Sequence, residues 1–325
     1  MSRIEQALEK AAQLRQDERE IEMNEPGKKA EQPSSRPVFF FQKPVFDLQA
    51  VHRHIVCITQ PSSPTAEEYR KLRARICRRT EKDFFNTIMI TSSFDGEGKS
   101  ITALNLAVAL AQDIDHTVLL VDADLRRPSI HTYLGITPKH GLSEYLQSRV
   151  QLQDILIQTG IGKLVLLPAG TPPKNPSELI ASRKMRDLIV DLKYRYRDRY
   201  VLFDSPPLLT AADGIYLKDS IDGALFVIQA LRTSEKSAHR ALELLKGTHL
   251  FGTVYNNVPE YLLTNGVSYY GRIPKAGEND MVHAAMLMKN AEHSFRTLCD
   301  SKKVQKIGSK IKSGKDGLMK WTKKS

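Results

Sequence analysis

Two periodicities alternate through the middle of the chain. Short runs dense in β-branched and apolar residues read as buried strands near 85–91, 117–122, 163–168, 199–204, 223–229 and 250–256. Between them, apolar positions recur every three or four residues near 100–112, 141–148, 176–193 and 234–247, which predicts helices. Upstream, Ile55-Val56-Cys57-Ile58 reads as a further strand and residues 65–80 as a helix. Strand and helix in alternation predict an α/β fold, with a mostly parallel sheet covered by helices on both faces. In such sheets, ligands bind beyond the carboxyl ends of the strands. The ends of the chain break the pattern. Residues 1–23 predict an amphipathic helix with Ile4, Leu8 and Ala11 on one side. Residues 24–50, with Pro26, Gly27, Pro33 and Pro37, read as a linker. The α/β domain is expected over 51–258, and 259–325 as a flexible tail carrying tyrosines and lysines.

Between the first strand and helix of the alternating region lies Thr91-Ser92-Ser93-Phe94-Asp95-Gly96-Glu97-Gly98-Lys99-Ser100. Its end fits the phosphate-binding pattern G-x-x-x-x-G-K-[ST], but Ser93 stands where the first glycine is usual. A strand before and a helix after supply the context that such a loop requires. The backbone from Asp95 to Ile101, through Gly96, Glu97 and Gly98, would then converge its N–H groups on phosphate oxygens at a helix N-terminus. Lys99 would reach the β- and γ-phosphates, and Ser100 Oγ would ligate Mg²⁺. The chain thus reads as a P-loop NTPase that takes ATP and Mg²⁺.

Two further strands end in acid. Val118-Leu119-Leu120-Val121 runs into Asp122-Ala123-Asp124-Leu125-Arg126, and Tyr200-Val201-Leu202-Phe203 runs into Asp204. Carboxylates at the end of a buried strand are costly unless paired, hydrogen-bonded or facing a cation. Beside a phosphate loop, Mg²⁺ is the natural cation. Asp204 is expected to hold it; Asp122 either to hold it or to take a proton from an incoming nucleophile; Asp124 and Arg126 to order the region. Asp213 reads as a helix cap. Asn256, closing the last strand, either meets the adenine or makes a turn, and Tyr255 beside it reads as core.

Composition narrows the class. Of 325 residues 41% are hydrophobic, enough for a sizeable core. The three cysteines, Cys57, Cys77 and Cys299, have no zinc or disulfide spacing, which points to a reducing cytoplasm. The charged N-terminus does not resemble a signal peptide, and no apolar run approaches the ~18 residues that a membrane span needs. The net charge of +11 is concentrated: residues 301–325 hold nine lysines against one aspartate, a net +8. Such a tail does not make a nucleic-acid groove, and no nucleic-acid motif is present. The tail interleaves lysine with Val304, Ile307, Ile311, Leu318 and Trp321, and suits either an anionic inner-membrane surface or a solubilising role.

Together these motifs resemble the bacterial tyrosine kinases of exopolysaccharide and capsule loci. The matching features are the loop from Ser93 to Ser100, the strand followed by Asp122-x-Asp124-x-Arg126, and the strand followed by Asp204-x-x-Pro207. A fourth is the E-x-x-R-x-x-R stretch Glu67, Arg70, Arg73. The opening MSRIEQALEKA looks like the exosortase-associated branch. The resemblance implies an ATP-dependent tyrosine autokinase that phosphorylates its own C-terminal segment in a neighbouring subunit and so regulates polysaccharide chain length and export. It implies self-association, in a ring-like oligomer, through Glu67, Arg70 and Arg73, although these also suit ordinary surface pairs, Glu67 with Arg70 and Lys71. It further implies a separate membrane activator and a peripheral place at the inner membrane. The family's dense tyrosine cluster is reduced here to Tyr261, Tyr269 and Tyr270 as candidate phosphoacceptors. Two other readings share the fold. A partitioning or division-site ATPase carries an additional lysine where this chain has Phe94. A non-catalytic, ATP-gated scaffold of an export complex needs no phosphoacceptor.

Overall fold

The computed structural model describes residues 48–81, 85–195 and 199–259. The expected N-terminal helix, nearly all of the linker, the candidate phosphoacceptors and the basic tail lie outside the described residues. Seven strands form one sheet: β1 Thr87–Ser92, β2 Thr117–Asp122, β3 Ile157–Gln158, β4 Leu164–Leu167, β5 Arg199–Asp204, β6 Gly223–Gln229 and β7 His249–Asn256. Their spatial order is β3-β4-β2-β5-β1-β6-β7. All neighbours pair in parallel except β3, which runs antiparallel to β4. The helices are α1 Val56–Thr59, α2 Pro64–Thr80, α3 Lys99–Ala111, α4 Ile130–Tyr133, α5 Leu142–Leu146, α6 Pro176–Ile180, α7 Arg183–Arg195, α8 Asp213–Lys218 and α9 Glu235–Leu244.

The central strands are apolar at nearly every position because both of their faces are covered. Ile88 and Ile90 of β1, Val118 and Leu120 of β2, and Leu202 of β5 join one core with α2 and α3. The alternate residues Met89, Leu119, Val121 and Phe203 are buried too and point the opposite way, toward the face on which α7 packs against β5. Helix α3 is apolar almost all round, with Leu104, Leu106, Val108 and Leu110 fully buried, since it lies between the sheet and α2. This sandwiching fixes the start of α3, and hence Lys99 and Ser100, against the carboxyl edge of the sheet.

Several expectations change. The run at 55–58 forms the short helix α1, not a strand: Asn105 of α3 accepts from Cys57 N (3.0 Å) and donates to His54 O (3.0 Å), so a tertiary contact overrides the β-branched composition. The single helix expected over 176–193 is two, because Ser182 Oγ accepts from Met185 N (3.2 Å) and starts α7 afresh. The pattern also missed β3 and α4, which are too short to display a period. Tyr255 is not core; it is 44% exposed on the edge strand β7. Among the described residues no helix is long and apolar enough to cross a membrane.

Candidate active site

Parallel pairing brings the carboxyl ends of β1, β5 and β2 side by side. Asp122 of β2 stands in register with Asp204 of β5, and Asp204 in register with Ile90 of β1, just before the glycine loop. Residues distant in sequence therefore converge. Lys99 Nζ donates to Asp124 Oδ2 (2.8 Å) and lies 3.4 Å from Ser100 Oγ. Asp122 and Asp204 are fully buried, and Asp124, Lys99 and Ser100 nearly so.

The loop backbone has the conformation its glycines permit. Gly98 caps α3 at φ +92°, in the left-handed region, and a Cβ there would stand 1.8 Å from Asn256 Nδ2. No side chain fits. Asn256 donates from that nitrogen to Glu97 O (3.0 Å) and so braces the loop. Glu97 turns inward and is 3% exposed. Ile101 is half-buried in the first turn of α3, and Asp95 lies outward, 3.4 Å from Arg127.

The three aspartates differ sharply in how they are satisfied. Asp124 accepts from Arg127 N (3.1 Å) as well as from Lys99. Asp122 Oδ2 accepts from Ser129 N and Ile130 N, both at 3.2 Å, but its Oδ1 has no partner. Neither oxygen of Asp204 makes a hydrogen bond of ordinary geometry, although the Ser100 hydroxyl is close enough to favour its charged form. Burial raises the pKa of Asp122, and the neighbouring Asp204 raises it further. Burial raises Asp204 as well, against the opposing pull of the Lys99 charge. For Lys99, burial favours the neutral amine, but the fields of Asp204, Asp124 and Asp122 outweigh it and hold the proton more tightly.

Three orphaned carboxylate oxygens beside a serine hydroxyl and a glycine loop are a donor set suited to a hard divalent cation. Among the described residues no three acidic, histidine or cysteine side chains form a ready-made metal cage. The arrangement thus suits a cation that draws its other ligands from water and phosphate, as Mg²⁺ does.

Arg126 makes its side-chain hydrogen bonds outside this cluster, although Asp124 still lies within reach of its charge. Its Nε donates to Asp213 Oδ2 (2.7 Å) and its Nη2 to Ser177 Oγ (2.7 Å), while Ser177 in turn donates to Asp213. Arg126 therefore ties the segment after β2 to α6 and α8. Asp213, expected as a helix cap, is instead the fully buried partner of this arginine. In α2, Glu67 pairs with Arg70 (2.6 Å) and Arg73 donates to Ala109 O (3.1 Å) at the end of α3. Lys71 pairs with Glu68 (2.7 Å), not with Glu67. Sequence reasoning missed the roles of Ser177, Thr233 and Asp222. Nothing in their local pattern marks them, because each acts on a residue 36 or more positions away.

The fold and the loop define a P-loop NTPase, and the comparisons agree. Residues 83–258 match the family described as ParA: NUBPL iron-transfer P-loop NTPase. The tyrosine-protein kinase YwqD of Bacillus subtilis is 35% identical over 208 residues, 63% of this chain and 86% of its own. The structure of the kinase domain of the Escherichia coli tyrosine kinase ETK superposes with a TM-score of 0.61 at 29% identity, covering 67% of this chain and 84% of that one. The chimerical protein CapA2B2 gives 0.60 at 33% identity, covering 64% and 92%. The chain belongs to the bacterial tyrosine-protein kinases.

Proposed function

We propose that the protein transfers the γ-phosphoryl group of Mg-ATP to tyrosines of its own C-terminal segment in a neighbouring subunit. The observation that carries this reading is the convergence of Lys99, Asp122, Asp124 and Asp204 at the carboxyl edge of the sheet, beneath a glycine loop. An ammonium carries three donors, so Lys99 can serve a phosphate oxygen while keeping Asp124. Ser100 and Asp204 would hold Mg²⁺, which supplies charge neutralisation at the phosphates, and Asp122 would either join them or serve as the base. Asp124 keeps Lys99 aimed. The tyrosine oxygen bonds to the γ-phosphorus as the β–γ bridging bond breaks, and the phenolic proton passes to a carboxylate. Asp122 suits that task where Ser100 and Asp204 hold the cation without it, since its Oδ1 has no other partner and can accept the proton.

Tyr261, Tyr269 and Tyr270 are the proposed acceptors. The wider setting rests on the family resemblance: control of exopolysaccharide chain length and export, self-association through the α2 face that carries Glu67, Arg70 and Arg73, a separate membrane activator, and attachment of the basic tail to anionic lipid. A second reading, a partitioning-type ATPase, is favoured by the family match at 83–258, but Phe94 replaces the intersubunit lysine that it needs.

Labelled ATP and tyrosine mapping separate the readings. The expected result is phosphotyrosine in wild type, at one or more of the three tail positions, and loss of label in Lys99→Met with an unchanged circular dichroism spectrum. Release of free phosphate without phosphotyrosine selects the ATPase. Labelling that persists in Lys99→Met removes the assigned role of that lysine.

A further inference from the structure

We propose that Glu97 is a positioning residue that sets the shape of the phosphate loop and couples it to the segment after β6, so that Thr233 controls nucleotide affinity. The inference rests on the ATP-binding reading above.

A carboxylate inside a loop that must hold polyphosphate works against the ligand if it faces outward. Here it is turned in. Glu97 Oε2 accepts from Ser93 N (2.7 Å) and Phe94 N (3.0 Å), and Oε1 accepts from Thr233 Oγ1. Thr233 Oγ1 in turn accepts from Gln229 N (3.1 Å) at the end of β6. The backbone oxygen of Glu97 takes the Asn256 bond from the end of β7. One residue thus binds the first two amides of the loop to the ends of two neighbouring strands.

Two consequences follow. The amides of Ser93 and Phe94 are consumed by Glu97, so phosphate donors come from Asp95 onward. The departure at Ser93 also gains a physical reason: Ser93 has no left-handed φ, and the bend that a first glycine usually permits is held by the carboxylate instead. The Arg232 guanidinium lies alongside Gly96, with Nη1 3.3 Å from where a Cβ would stand. A shift of the 229–233 segment therefore reaches the loop by two routes.

The test titrates a fluorescent ATP analogue into the full chain and measures tyrosine phosphorylation at saturating ATP. Thr233→Val removes the donor to Glu97, and with it the acceptor of Gln229 N, at nearly constant shape. It should weaken binding about 3- to 10-fold, the worth of one buried hydrogen bond, with the saturating rate within about twofold of wild type. Thr233→Ser should restore affinity. Wild-type affinity in Thr233→Val overturns the proposal. So does a saturating rate that falls together with the melting temperature, which marks a merely structural contact, or a failure of Thr233→Ser to rescue. Absence of binding by wild type sinks the nucleotide reading itself, and the coupling with it; binding by wild type with no effect at Thr233 sinks only the coupling.

Discussion

Two aspartates at opposite edges of one sheet meet opposite environments. At the amino edge, Asp222 immediately precedes β6, and its side chain is 6% exposed. Its Oδ2 accepts from Asn86 N (3.0 Å), Thr87 N (3.0 Å) and Thr87 Oγ1 (2.7 Å), and its Oδ1 takes Lys193. At the carboxyl edge, Asp204 ends β5 with neither oxygen in a hydrogen bond of ordinary geometry. The residue type is the same and the burial is similar; only the partners differ. A saturated carboxylate closes the sheet. An unsaturated one, held among other carboxylates and a lysine, stores a demand that a cation and phosphates can meet.

Substitutions at these two positions should split cleanly between activity and stability. The largest effect is expected from Asp204→Asn, which should lower tyrosine phosphorylation by about a hundredfold or more, since several kcal/mol of charge stabilisation depend on the cation. The same variant should not destabilise the nucleotide-free protein. Asp122 and Asp204 bind protons more tightly folded than unfolded, so wild-type stability should fall as pH rises from about 4 toward neutrality, and Asp204→Asn should flatten that fall. Urea melts across pH measure it; a steeper pH dependence in the variant would contradict the unsatisfied-carboxylate account.

Asp222→Ala should do the reverse. It strands the amides of Asn86 and Thr87 and removes the partner of Lys193, at a cost of about 3 kcal/mol in urea unfolding. The rate per folded molecule should stay within a few-fold of wild type. A selective loss of rate at full stability would place Asp222 in the chemistry and break the comparison. The smallest effect is expected at Arg73→Ala, which loses one bond to the end of α3, about 1 kcal/mol by the same measurement. If Arg73→Ala also shifts the sedimentation profile of the oligomer, α2 contributes to assembly as well as to packing.

Much of this was legible along the chain, and the reasons are local. The strands β1, β2 and β5 announced themselves through unbroken apolar runs, because strands covered on both faces need no alternation. The loop was visible because Gly98 cannot carry a Cβ against Asn256, and only glycine tolerates its backbone. The inversion at 55–58 was not legible: the Asn105 side chain that turns that run into α1 lies 48 residues away. The break at Ser182 was a capping signal that continuous helical spacing concealed. Asp213 illustrates the same limit within the site region. Its position at the start of α8 suits a cap, but its charge answers Arg126, 87 positions earlier.

The sequence by itself determined the α/β alternation, the phosphate loop and the acids that end β2 and β5, since period, glycine and aspartate act within a few residues. Only the tertiary structure decided which acids remain unsatisfied, which arginine serves as a strut and why Ser93 can replace a glycine. Those outcomes depend on strand register and on partners brought together across the sheet, and no local pattern contains them.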